Sequence, residues 1–177
     1  MSARRGPLPN IVGPALEVLF VGINPGLASA RARHHFANPA NGFWRLLHES
    51  GFTPRRLSPE EDRRLPEFRL GITNIVARAS AGVSDLTRAE LLAGARSLGR
   101  RIERYAPRAV VFVGIMVWRP FAQCFDLTTS SVGCGEQPQR FAGARLFVLP
   151  NPSGRNAHFT RAQMLALYRQ AARSLSA

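Results

Sequence analysis

A three-layer α/β/α sandwich on a mostly parallel central sheet is the fold class that this sequence predicts. Short apolar runs of β type recur near residues 16–21, 71–76, 109–113 and 146–149, and helix-forming stretches lie between them. No linker, repeat or low-complexity block breaks that alternation, so one layered domain accounts for it. At 177 residues and 45% hydrophobic, the chain is long enough to bury a substantial single core.

The elements follow in order. Residues 1–15 read as a flexible basic arm, the first ten being rich in Arg, Gly and Pro, and a single domain is expected over residues 16–177. Residues 16–21 form a buried strand stopped by Gly22. Over residues 41–50, Phe43, Trp44, Leu46 and Leu47 recur at helical spacing, with Asn41 as cap and Gly51 as stop. Ser58-Pro59 opens another helix, serine at the N-cap and proline at the first helical position. Residues 71–76 are the second strand. Thr87 caps a long helix to about Tyr105, Glu90 completing a capping box and Pro107 standing just beyond the end. A third strand at 109–113 precedes a helix around 117–125. Phe141-Ala142-Gly143-Ala144-Arg145 predicts a hairpin into the last strand, 146–149, and Thr160 caps a final amphipathic helix through Ala171.

Composition narrows the function. The net charge is +13, and all 24 basic residues are arginine. Base composition of the genome explains the choice of arginine over lysine but not the excess over 11 acids. Such an excess points to a polyanion, because each neutralised phosphate releases condensed counterions. No run of about 18 apolar residues exists to cross a membrane, and no apolar signal core follows Met1-Ser2-Ala3-Arg4-Arg5. The two cysteines, Cys124 and Cys134, cannot supply a four-thiolate cluster and read as reduced thiols of a cytoplasmic protein. His34, His35, His48 and His158 show no ligand spacing, so neither metal nor other cofactor is expected.

Two turns carry the chemistry. Gly22-Ile23-Asn24-Pro25-Gly26 follows one apolar strand, and Asn151-Pro152-Ser153-Gly154 follows another. In an open α/β sheet the carboxyl ends of strands converge on one crevice, so the two Asn-Pro turns could face one another across a single site. Between them, residues 34–44 combine aromatics with turn formers. An aromatic such as Phe36 can stack on a nucleobase, worth ~1–3 kcal/mol per base, or serve as ordinary core. Asp85, in the loop after the second strand, is a low-ranked alternative water-activating carboxylate; capping the helix that starts at Thr87 is its simpler role.

Four motifs in order (Gly22-Ile23-Asn24-Pro25-Gly26-Leu27, the run from Phe36 through Asn41 with Phe43-Trp44, Gly71-Ile72-Thr73-Asn74, and Leu149-Pro150-Asn151-Pro152-Ser153-Gly154) resemble the mismatch-specific uracil-DNA glycosylases, the bacterial branch of the group that includes thymine-DNA glycosylase. The resemblance covers nearly the whole chain and implies a uracil-DNA glycosylase-like fold. It implies that Asn24 positions the water attacking the sugar, that Phe36 stacks on the flipped-out base, and that Ile23, Ser29 and Asn151 line the base pocket. It also implies that Asn151, Pro152, Ser153, Gly154, Arg155 and Asn156 form a loop entering the duplex. Where bacterial members commonly carry a leucine wedge, this chain has Arg155, which offers a flat stacking surface and donors for an orphaned guanine.

An amide can hold water but is no strong base, and no lysine is available for a Schiff base. That argues for a monofunctional enzyme; the resemblance implies a glycosylase, expected to be monomeric, that flips uracil out of double-stranded DNA, preferentially from G:U mismatches, and leaves an abasic site. A non-catalytic basic module that binds nucleic acid or senses damage is the alternative.

Overall fold

The computed structural model describes residues 7–127 and 133–177. Five strands, β1 (Val18–Gly22), β2 (Leu70–Asn74), β3 (Ala109–Val113), β4 (Gly135–Phe141) and β5 (Ala144–Leu149), form one sheet in the order β2-β1-β3-β5-β4. All neighbours pair in parallel except β4 with β5. Five α-helices accompany them: α1 (Leu27–Ala32), α2 (Phe43–Glu49), α3 (Arg88–Tyr105), α4 (Ile115–Cys124) and α5 (Arg161–Ser176).

The period-2 geometry of a strand sorts its side chains between two cores. Val18 and Phe20 of β1 pack with Phe43, Trp44 and Leu47 of α2 and with Tyr168 of α5. Leu19 and Val21 point the other way, into a cluster with Ala95, Leu98 and Ile102 of α3 and Val117, Trp118 and Phe121 of α4. The domain is the expected three-layer α/β/α fold.

Local signals acted as expected at the long helices. Thr87 with Glu90, and Thr160 with Gln163, form capping boxes that open α3 and α5. The final helix continues past Ala171 to Ser176. Asn41 sits one residue before the cap of α2, its Oδ1 accepting from the Phe43 amide at 2.9 Å. The segment opened by Ser58-Pro59 is a 3₁₀ helix, Pro59–Phe68, with Pro66 inside it. The expected hairpin joins β4 to β5, with Phe141 paired to Ala144; α1 was not expected, nor was the reach of β4 back to Gly135. α1 is too short to show a period, and β4 is a polar edge strand carrying Pro138, tolerable only where one side of the ladder is open.

The arm expected over residues 1–15 is corrected from Pro7 onward; residues 1–6 lie outside the described residues. Leu8 and Ile11 are buried, and Ile11 exchanges two backbone hydrogen bonds with Ile72 at 2.9 and 2.8 Å. Asn10 accepts from the Thr73 hydroxyl, and Pro9 from the His35 ring. An apolar pair and an unfilled sheet edge at β2 capture this segment, a tertiary effect that Arg-Gly-Pro composition conceals.

Helix α3 lies close enough to the exit of β2 that a Cβ on Gly94 would overlap the Ile75 carbonyl. A backbone overlap cannot be relieved by a rotamer change. Gly94→Ala should therefore destabilise the fold by about 1–3 kcal/mol of overpacking, against a helix-propensity gain of about 1 kcal/mol. Urea unfolding should show a lower midpoint at unchanged slope. An undiminished midpoint would mean that α3 can back away from the strand.

Candidate active site

The strand order reverses beside β1: the chain leaves β1 for β2 on one flank, then crosses to β3 on the other. Crevices form at the carboxyl ends of strands where this happens. Here a cavity of about 750 Å³ opens between the turn after β1, Val113 at the end of β3, and the loop after β5. Ile23, Asn24, Ser29, Phe36, Asn151, Ser153, Gly154 and Arg155 all line it. The two Asn-Pro turns meet in one cleft.

Asn24 is held in one orientation. Its Nδ2 donates to the Arg78 carbonyl at 2.9 Å and to Ser80 Oγ at 2.8 Å. A carbonyl can only accept, and the Ser80 hydroxyl spends its single proton on the Gly82 carbonyl at 2.7 Å. Both partners thus demand the NH₂ side of the amide, which leaves Oδ1 with its lone pairs for an outside donor such as water. Arg78 is itself fixed, its guanidinium gripping both oxygens of Glu90 and the Asp85 carbonyl. That guanidinium, with bonds from Thr87, draws the Glu90 carboxyl down to about 2.

Phe36 adopts a left-handed backbone, φ 50°, and its ring stacks on Phe43 with centroids 4.0 Å apart. The Ala37 amide donates to Ser29 Oγ at 3.1 Å, so Ser29 lines the cavity and also fastens the residue after Phe36. The ring stands over Gly22, where a Cβ would lie 3.6 Å from Phe36 Cζ and 2.5 Å from Asn74 Oδ1. Gly22 therefore leaves room for two cavity side chains at once. Behind this turn, the buried Asp62 carboxylate accepts from the His35 amide and contacts His34 Nδ1. His35 Nε2 donates to the Pro9 carbonyl at 2.8 Å, and burial pushes its imidazole below the ordinary value, keeping it neutral. Ile23 lines the cleft and also packs, partly buried, against the α3–α4 core.

The loop after β5 is stitched by short bonds. Asn151 Oδ1 accepts from the Ser153 amide, Ser153 Oγ from the Arg155 amide, and Asn156 Oδ1 from the His158 amide. With Oδ1 engaged, Asn151 retains Nδ2 as a donor. Pro152 and Asn156 do not line the cavity. Pro152 is buried and its carbonyl accepts from Gly42, and Asn156 folds back to donate to the Asn151 carbonyl at 2.9 Å. Arg155 is exposed at the rim.

Asp85 stands outside the cavity lining, and its Oδ2 accepts from the Gly82 amide at 3.1 Å, closing the short 3₁₀ turn Val83–Asp85. Its position is that of a loop cap, one turn of chain from Ser80. Asn74, the end of the third motif, lines the cleft, and so do Ser80 and Leu8, which the sequence did not single out. Ser80 could have been found from register: β1 and β2 pair Gly22 with Asn74, so residues just past both strands must converge. Among the described residues no cluster of His, Cys, Asp and Glu is placed to hold a metal ion, and no helix is long and apolar enough to cross a membrane.

The architecture is shared with known structures. A solution NMR structure from Methanosarcina acetivorans, of a protein provisionally named a uracil DNA glycosylase, superposes with a TM-score of 0.66 at 21% identity, covering 98% of this chain and 99% of that one. The family model for the uracil DNA glycosylase superfamily matches residues 9–175, from the segment beneath the cleft to the last turn of α5. Matched over nearly its whole length, with both strand-end turns in that span, the chain belongs to the uracil DNA glycosylase superfamily.

Proposed function

We propose that this protein excises uracil from double-stranded DNA, preferentially opposite guanine, as a monofunctional glycosylase of the mismatch-specific branch. The observation that carries the reading is the orientation of Asn24, whose NH₂ is spent on Arg78 and Ser80 so that Oδ1 is left to hold a water at the cavity. That water's oxygen forms the new bond to the anomeric carbon as the N-glycosidic bond breaks. The base departs as the uracil anion with the bonding electron pair, and the water's proton passes to solvent. Asn151 Nδ2 is the donor available for the leaving base, a fixed dipole of the kind that stabilises developing charge. Phe36, braced by Phe43, offers a face for the flipped base. Arg155 at the rim suits the vacated stack, where a planar guanidinium can also donate to the orphaned guanine.

Single-turnover release from a G:U duplex tests this directly. Asn24→Ala should slow base release by about 10²-fold or more, the scale of one lost positioned polar group. Ser80→Ala removes one of the two bonds that orient the amide and should slow release by only about 3- to 10-fold, the worth of a single hydrogen bond. Binding to abasic product should survive both changes. Unimpaired release by Asn24→Ala would overturn the assignment, and tight duplex binding without any release by the native protein would favour the non-catalytic module.

Arg155 separates wedge from phosphate contact. Arg155→Ala should impair release from duplex while sparing release from single-stranded uracil, which needs no plug. Arg155→Leu should recover part of the duplex rate but lose discrimination among opposite bases. Equal losses on both substrates would place Arg155 on the phosphates instead.

A further inference from the structure

We propose that the outward face of α3, extended by Arg119 of α4, is a second nucleic-acid-binding surface that grips the phosphates of a duplex segment other than the one at the cleft. The proposal rests on the DNA-directed reading above only for the identity of the first segment. Ala95, Leu98, Gly99 and Ile102 turn the inner face of α3 to the sheet. Arg96, Arg100 and Arg104 recur every fourth residue on the opposite face, all exposed. At ~1.5 Å rise per residue they stand ~6 Å apart along the axis. Arg119 is exposed on α4, which packs beside α3 in the same layer. Arg101, between them in sequence, turns aside to Thr73 and Asn10.

Among the described residues, lack of a carboxylate partner is shared with other exposed arginines, Arg45, Arg63 and Arg88 among them; what sets Arg96, Arg100 and Arg104 apart is their four-residue repeat along one helix face. Arg55, Arg64, Arg69, Arg78, Arg145 and Arg161 are each paired with a carboxylate. Among the described residues Arg96, Arg100, Arg104 and Arg119 have no such partner, and Glu103 is the one acid exposed on this half of α3. A ridge of unpaired charge in a folded protein is self-repulsive unless a polyanion lies on it. The face also lacks what a protein partner needs. Along α3 no large hydrophobic is exposed among the described residues, and Met116, one turn before Arg119 on α4, is a single apolar side chain where an interface core needs a cluster.

Direction distinguishes this surface from the cleft. The cleft opens at the carboxyl ends of the strands, whereas α3 starts there at Arg88 and runs back toward their amino ends. A duplex lying across the cleft would have to turn sharply to follow the ridge, and duplex DNA resists bending over so short a length. A separate segment meets the ridge without that cost.

The test uses the full chain and the triple variant Arg96→Gln, Arg100→Gln, Arg104→Gln, with a donor-labelled uracil duplex and an acceptor-labelled undamaged duplex. The native protein should bring the two duplexes together, read as energy transfer that fades with salt. The variant should lose the transfer, and its log–log salt slope for undamaged duplex should shrink by about 0.9 for each arginine that had neutralised a phosphate. Single-turnover release from a short duplex should stay within twofold of native. Absence of transfer with the native protein, or undiminished transfer with the variant, would overturn the proposal. So would loss of release in parallel with transfer, since the ridge would then lie under the substrate duplex. Transfer lost by the variant supports the ridge even if the native protein releases no uracil, a result that would strike at the glycosylase reading alone.

Discussion

Parallel pairing between β1 and β2 runs on past the ends of both strands, and the cleft is built on that continuation. The Ile75 amide donates to the Gly22 carbonyl at 2.9 Å, Val76 to Ile23 at 2.8 Å, and Ser80 to Pro25 at 3.2 Å. Turns that carry function are usually surface loops free to move on a rigid scaffold. Here the turn holding Asn24 is laced to its neighbour by backbone bonds on both sides of the key residue. Those bonds put the Arg78 carbonyl and the Ser80 hydroxyl within reach of one amide. Two glycines permit the arrangement: Gly94 lets α3 close on the Ile75 carbonyl, and Gly22 clears space for Asn74 and Phe36. The orientation of Asn24 is thus set by the strand register that surrounds it.

The opposite wall is held by a buried carboxylate. Asp62, from the 3₁₀ helix, binds the His35 amide and His34, while Trp44 Nε1 donates to the His35 carbonyl and His35 reaches the segment at Pro9. A left-handed phenylalanine costs roughly 1–3 kcal/mol in backbone strain. The bonds on either side of Phe36, with its stack on Phe43, offset that cost and fix the ring over Gly22. The N-terminal segment is therefore part of the site's wall, with Leu8 lining the cavity and Ile11 completing the sheet edge.

Much of this is legible in the amino-acid sequence alone. The four parallel strands and the capped helices α3 and α5 announce themselves through local chemistry, apolar runs and Thr-x-x-Glu or Thr-x-x-Gln boxes. So do the two Asn-Pro turns, because glycine and proline at strand ends are read residue by residue. What the sequence hid is what only tertiary contact creates. Leu8 and Ile11 look unremarkable in a Pro- and Arg-rich stretch until β2 supplies an edge for them. Pro152 and Asn156 carry the motif's residue types yet serve the loop's own structure, since a loop that presents Asn151 needs its neighbours to bond inward. Ser80 lacked any motif, and its placement follows from pairing register rather than from identity.

Three carboxylates on the segments that frame the cleft have other partners. Asp85 caps Gly82, Glu90 binds Arg78 and Thr87, and Asp62 clamps the histidine turn. With these carboxylates engaged elsewhere, the proposed reaction runs on neutral amides. A substrate that arrives as a polyanion and a base that leaves as an anion would both be repelled by a free carboxylate in a desolvated cavity. An aspartate at position 24 would fare no better, because its oxygens would face the Arg78 carbonyl with no proton to offer and lose the bonds that now orient the amide. Neutral amides, Asn24 as acceptor and Asn151 as donor, avoid both penalties. They also limit the driving force for water attack, so discrimination must come chiefly from the energy of extruding the base, which is lowest where the pair is already mismatched.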